Sequence, residues 1–242
     1  MARAAVSGGL MAMPTPWQTA TVTDIRAETA TAKTFRLELA APHRHLAGQH
    51  YVVRLVAPDG YRAQRSYSVA SAPDGSAIEL TVELLPDGEV SGFLHEVVEV
   101  GDELEVRGPI GGFFAWDGES PILGVAGGSG VVPLMSMLRQ ARSQGHADRV
   151  KLVVSVRTPA DLYYADEITG PGTSIVHTRQ APAGSHRPVG RLSADDLKPI
   201  LDTDREIYVC GSPGFCDSAT TILLDLGVDT RRIRVERFAP TR

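Results

Sequence analysis

The chain has 242 residues, 43% of them hydrophobic and 22% charged, the composition of a soluble globular protein with material for one large core or two ordinary ones. Its formal charge of -5 comes with no run of lysine and arginine, which argues against a nucleic-acid or anionic-membrane surface. Two cysteines, Cys210 and Cys216, match neither paired zinc ligands nor a four-thiolate iron-sulfur pattern, so no metal is expected and a reduced, cytoplasmic setting fits. No run approaches the roughly 18 apolar residues that span a bilayer. The opening MARAAVSGGLMAMPTP lacks the apolar core of a secretory signal. Residues 1 to 13 read as a frayed or alternative start, because Met11 and Met13 both precede the first patterned segment.

From Trp17 to about Phe114 short runs alternate apolar and polar residues, as in Thr34 to Leu39 and Ile78 to Leu84, the period of half-buried strands. Pro-Asp-Gly clusters at 58 to 60, 73 to 75 and 86 to 88 separate them, which is the spacing of an antiparallel barrel or sandwich. Val90, Phe93, Leu94 and Val97 fall at helical intervals and predict one short helix. Trp116 to Ser120 reads as a linker. Beyond Pro121 the rhythm changes to solid apolar runs at 122 to 126, 150 to 156, 174 to 177 and 206 to 210, with a last strand near 232 to 238. Such runs are buried on both faces and predict a parallel sheet. Leu134, Met137, Leu138 and Ala141 share a helical face, as do Ile222, Leu223 and Leu226.

The first of these runs passes directly into Gly127-Gly128-Ser129-Gly130-Val131-Val132-Pro133 and then into the helix. A glycine-rich turn between strand and helix lets backbone approach a pyrophosphate, and the helix N-terminus offers free N–H groups and the positive end of a dipole. The pattern departs from G-x-G-x-x-G in carrying Pro133 at the third glycine, which the first turn of a helix accepts. No acidic residue closes the second strand, which ends in Ser155-Val156-Arg157-Thr158. Taken alone, such a loop is also what any tight strand-to-helix turn needs.

Arg65-Ser66-Tyr67-Ser68, Gly88-Glu89-Val90-Ser91, Gly108 to Phe113, the Gly127 to Pro133 loop, Tyr208 to Pro213 and the terminal Glu236-Arg237-Phe238 together resemble, in order and spacing, the ferredoxin-NADP reductase superfamily. The resemblance covers nearly everything from Trp17 onward. It implies an antiparallel β-barrel flavin domain over residues 14–115 and an NAD(P)-binding α/β domain with a five-stranded parallel sheet over 120–242. It also implies FAD as the flavin. Arg65 would pair with a phosphate, Tyr67 would stack on the isoalloxazine, and Ser66 and Ser68 would line it with Ser68 near N5. Val82, Gly88, Val90 and Ser91 would complete the flavin site, the last two at a helix N-terminus facing the diphosphate. Gly128, Ser129, Gly130 and Pro133 would hold the nicotinamide dinucleotide. Cys210 and Gly211 would lie beside the nicotinamide, with Glu236 and Phe238 against the flavin face. Ser212 after Cys-Gly and the four residues Ala239 to Arg242 after the aromatic depart from the family pattern, and Cys216 matches nothing in it.

The activity so implied carries electrons from NADPH or NADH through FAD to a separate acceptor such as a ferredoxin, an oxygenase or a haem protein. The alternatives are a reductase of free flavin, quinone or oxygen, and a non-catalytic flavin- or nucleotide-binding subunit used for redox sensing. In NADP-using members a Ser-Arg pair after the third strand grips the 2'-phosphate. Thr178-Arg179 stands at that place and Arg157-Thr158 at the end of the neighbouring strand, so NADPH is expected over NADH. The seven histidines fall in no metal- or base-like pattern.

Overall fold

The computed structural model describes residues 15–73 and 75–238. The expectations for residues 1 to 13 and for Ala239 to Arg242 lie outside them. The first half is a six-stranded antiparallel sheet of β1 (Gln18–Thr29), β2 (Ala32–Leu39), β3 (His50–Val56), β4 (Arg62–Ser68), β5 (Ala77–Glu83) and β6 (Glu103–Ile110), in the order β4-β3-β6-β1-β2-β5. The two ends of that order meet at a bridge between Val69 and Leu80, which closes the sheet into a barrel. Alternation sends Val22, Phe35, Leu37, Tyr51, Val53, Ile78, Leu80 and Val106 inward, as period-2 patterning requires. Helix α1 (Glu89–Glu96) plugs one end with Val90 and Leu94. Of the apolar face expected for this helix, Phe93 and Val97 are exposed, because a two-turn helix lying across a barrel mouth buries only its inner edge.

The second half is a five-stranded, wholly parallel sheet of β7 (Ile122–Gly127), β8 (Val150–Val156), β9 (Thr173–His177), β10 (Glu206–Gly211) and β11 (Ile233–Arg237), ordered β11-β10-β7-β8-β9. Helix α2 (Val131–Ser143) covers one face, with Leu134, Met135 and Leu138 in its core. The short α3 (Ala194–Leu197) and α4 (Pro213–Asp225) cover the other with Leu197, Cys216, Ala219 and Leu223. Each such apolar side chain contributes about 1.5–3 kcal/mol on leaving water, which is why solid apolar runs settle between two helical layers. No helix among the described residues is long and apolar enough to cross a membrane.

The expected linker is a packed junction. Trp116 is buried, its backbone N–H donates to the Ala47 carbonyl at 2.9 Å, and its indole N–H donates to the Ser120 carbonyl at 2.9 Å. The Trp116 ring fills the space where barrel and sheet meet.

Candidate flavin and nicotinamide site

Arg65, Ser66, Tyr67 and Ser68 all lie on β4, opposite Val53, Val52, Tyr51 and His50 of β3. Because successive strand residues face opposite ways, Arg65 and Tyr67 share one face. The Tyr67 ring packs on the barrel core, half-buried, and burial raises its phenol well above the ordinary range, so the ring is a neutral wall. Arg65 donates to the Gln64 carbonyl at 2.7 Å and has no carboxylate partner among the described residues, which leaves its cationic fork for an incoming anion. Ser68 is buried.

The turn before α1 is built differently from its expected use. The Ser91 hydroxyl accepts from the Leu85 N–H at 3.2 Å and donates to the Gly88 carbonyl at 3.2 Å. The Ser91 hydroxyl thus serves the turn, and the backbone N–H groups of the first turn of α1 remain the other anion-binding groups expected there. A Cβ on Gly88 would fall 2.3 Å from that hydroxyl, so the turn needs glycine there. Val90 and Val82 both place their side chains in the barrel core, and the Val82 carbonyl bonds the His95 ring at 2.9 Å.

On the nicotinamide side, β7 runs into a single 3-10 turn at Gly128–Gly130 and then α2. Gly128 adopts φ +55 with open space around it, while a Cβ on Gly130 would stand 2.1 Å from the Cys210 carbonyl. One glycine thus permits the left-handed turn, and the other lets two backbones touch. The N-terminus of α2 has no side-chain cap and no acidic residue in its first turn, leaving its N–H groups and dipole for an anion. Ser129 sits in the 3-10 turn and Pro133 in the first turn of α2, as the motif requires.

Parallel pairing puts Cys210 between Ala126 and Glu236, and the Phe238 N–H donates to the Gly211 carbonyl at 2.8 Å. The Gly127–Gly130 loop, Cys210-Gly211, Glu236 and Phe238 are therefore brought to one end of the sheet, at the carboxyl ends of its central strands, where open α/β sheets bind ligands. The Cys210 thiol is fully buried, and burial together with the nearby Glu236 carboxyl pushes it far up; it offers shape, not a thiolate. Burial likewise pushes the Glu236 carboxyl up to about 7. Cys216 is a buried residue of α4, as expected.

The ladder also joins the two expected phosphate-gripping turns, since the Thr178 N–H donates to the Val156 carbonyl and the Arg179 N–H to the Arg157 carbonyl, both at 2.9 Å. Arg157, however, donates to Asp161 at 2.7 Å, and the same carboxylate accepts from the N–H and hydroxyl of Thr158. Burial works against the Asp161 charge, but the Thr158 and Arg157 contacts outweigh it and hold the pKa low. Arg179 is thus the cation at this corner without a carboxylate partner among the described residues.

Sequence reasoning missed the groups that tie the two halves together. The Ser136 hydroxyl of α2 donates to the Ser71 carbonyl at 2.6 Å. Arg139, one turn on, reaches the Ala70 carbonyl at 3.0 Å and Glu79 of β5 at 2.8 Å. Ala70 and Ser71 directly extend the strand that carries Tyr67 and Ser68. The helix that begins at the glycine loop is therefore bolted to the exit of the flavin-motif strand.

A closed antiparallel barrel joined to a five-stranded parallel sheet with a glycine turn at the carboxyl end of its central strand defines a two-part flavin and nicotinamide oxidoreductase module. The family description "Oxidoreductase FAD-binding domain" matches residues 19–114 and "Oxidoreductase NAD-binding domain" matches 125–221. The chain belongs to the ferredoxin-NADP reductase superfamily. It is 30% identical over 193 residues to the reductase component of propane 2-monooxygenase from Rhodococcus jostii, covering 74% of this chain and 52% of that one. It is 27% identical over 228 residues to the ferredoxin--NAD(P)(+) reductase component of the Pseudomonas putida naphthalene 1,2-dioxygenase system, covering 91% and 68%. Thus the chain spans about half the length of the first of these relatives. Among solved structures, the FAD/NAD-binding domain of nitric oxide dioxygenase from Vibrio cholerae matches with a TM-score of 0.81 at 26% identity, covering 92% of this chain and 99% of that one. The ferredoxin reductase of carbazole 1,9a-dioxygenase matches at 0.78 and 28%, covering 94% and 71%.

Proposed function

We propose that this chain is an FAD-dependent NAD(P)H oxidoreductase, with NADPH the better donor, that passes electrons to a separate protein acceptor such as a ferredoxin, an oxygenase or a haem protein. The observation that carries the reading is the hydrogen bond from Ser136 of α2 to the Ser71 carbonyl, which joins the helix that opens at the glycine loop to the segment following the strand of Arg65 and Tyr67. Bound flavin and nicotinamide supply the redox chemistry themselves, and the protein's part is to hold them in register and exclude water. In this reading Arg65 binds a flavin phosphate, Tyr67 and Phe238 flank the ring system, and Ser66 and Ser68 line it. The α1 N–H groups meet the diphosphate, and the Gly128 to Gly130 turn holds the nicotinamide dinucleotide. Glu236, with its raised pKa, keeps or gives up a proton beside Cys210 near neutral pH. Oxygenase reductase components among the relatives support a protein acceptor. The same proposal sets the domain limits at 14–115 and 120–242 and places the chain in the cytoplasm, where two buried free thiols persist.

Mixing the yellow holoprotein with NADPH or NADH under nitrogen tests the core of it: the flavin band is expected to bleach, and a band that persists with both donors overturns the reading. A panel of acceptors then separates protein acceptors from free flavin, quinone and oxygen. The donor preference rests on Arg179, the unpaired cation. A 2'-phosphate carries about two negative charges at neutral pH, so Arg179→Ala is expected to raise KM for NADPH while leaving NADH unchanged. Equal use of both donors by the unaltered enzyme would refute the preference.

A further inference from the structure

We propose that Arg139 is a positioning residue for electron transfer between the two cofactors: by clamping the exit of the flavin-motif strand to the helix of the dinucleotide loop, it sets the approach of nicotinamide to flavin. The inference rests on the functional reading above.

Arg139 lies on α2 nine residues beyond Gly130, too far along the helix to touch a dinucleotide held at its N-terminus. Its side chain is only 15% exposed, and its arms divide between the two halves. The Nε and Nη2 atoms donate to the two oxygens of Glu167 at 2.9 and 2.5 Å, a bidentate pair inside the α/β half. The Nη1 atom donates to Glu79 at 2.8 Å and to the Ala70 carbonyl at 3.0 Å, both in the barrel half. Burial opposes the charge, but Glu167 and Glu79 outweigh it and hold the guanidinium above its ordinary range.

The clamp has a second jaw. Tyr164, which has φ 54, lies under the guanidinium with 5.0 Å between its ring centroid and the Arg139 Cζ. Its hydroxyl bonds Thr81 of β5 and its N–H donates to Glu28 of β1 at 3.1 Å. A non-glycine residue held left-handed costs energy that surrounding structure must supply, and here two bonds into the barrel supply it. The network therefore crosses the junction at four places that touch no proposed cofactor-binding residue, yet Ala70 stands three residues after Tyr67, just past the end of its strand. A fork that bonds carboxylate and carbonyl in fixed directions restricts rotation as well as separation. Small angular errors at this hinge become ångström errors at the cleft.

The test is single-turnover reduction of the flavin at saturating nicotinamide dinucleotide, well below the melting temperature, in Arg139→Gln and Glu79→Gln holoproteins. The rate per bound flavin is expected to fall at least about tenfold in Arg139→Gln, less in Glu79→Gln, with KM for the nicotinamide and flavin content unchanged, and with partial recovery in Arg139→Lys. A merely structural arginine would lower the melting temperature and leave the rate per bound flavin intact; that result overturns the proposal. Glu79→Gln decides the matter if Arg139→Gln fails to fold, because Arg139 keeps Glu167: an unchanged rate refutes the clamp. If neither nicotinamide reduces the unaltered protein, the functional reading fails on its own. The clamp is then read by hydrogen exchange at the Tyr164 amide, where faster exchange in Glu79→Gln supports it and unchanged exchange refutes it.

Discussion

The flavin and nicotinamide sides of the candidate site are made of different material. On the proposed flavin side, the binding groups would be side chains projecting from one strand, Arg65 and Tyr67 of β4, over a barrel core that would persist without them. On the proposed nicotinamide side they would be backbone, in a turn where Gly128 takes φ +55 and Gly130 lies against the Cys210 carbonyl. A side-chain site loses affinity by degrees when a group is removed. A backbone site fails when an atom is added.

The largest effect is therefore expected from Gly130→Ala. Its Cβ would stand 2.1 Å from the Cys210 oxygen and 2.6 Å from the Gly211 nitrogen, so β10 or the loop must shift. The flavin spectrum should be retained while bleaching by nicotinamide slows at least about a hundredfold, the scale expected of an ångström misplacement. Normal bleaching in this variant would erase the contrast. Arg65→Ala comes next and touches the other side: losing one charged hydrogen bond of about 1.5–3 kcal/mol should weaken flavin binding roughly tenfold or more. Equilibrium dialysis of the apoprotein with FAD measures this, and affinity equal to the unaltered protein would remove Arg65 from the site.

The smallest effect concerns the seam between the two sides. Burial lifts the folded-state pKa of Glu236 from the ordinary 4.5 to about 7, so the folded chain holds this proton more tightly than the unfolded one. Stability is expected to fall as pH rises through that window and to level off above it. Glu236→Gln removes the group's contribution to the slope, so its denaturation midpoint should decline less between those pH values than that of the unaltered protein. Identical pH profiles would show that the carboxyl is solvated as an ordinary glutamate.

Much of this was legible before any coordinates. Solid apolar runs located β7, β8, β9 and β10 nearly to the residue, because a strand covered on both faces has no polar positions to blur its limits. Arg65-x-Tyr67, the glycine turn and Cys210-Gly211 stood out as candidates in the sequence because each lies within a few consecutive residues whose types suit the expected chemistry. The partners of Trp116, Ser91 and Arg157 were not legible for the opposite reason: an indole in a polar run, a hydroxyl at a helix start and an arginine at a strand end look the same whether free or engaged. Their partners are Ala47 and Ser120, Leu85 and Gly88, and Asp161.

What the amino-acid order determined by itself was periodicity, and with it the change from barrel to parallel sheet near residue 120, together with the positions where backbone or charge can meet a phosphate. What only the tertiary structure decided was how the two halves lock. Arg139 clasps Glu167 and Glu79, and Tyr164 reaches Glu28 and Thr81, contacts that join α2, a loop and two barrel strands. No local pattern announces them, since a charged residue on a helix and a carboxylate on a strand are each ordinary until closure of the barrel and docking of α2 bring them within hydrogen-bonding distance and away from water.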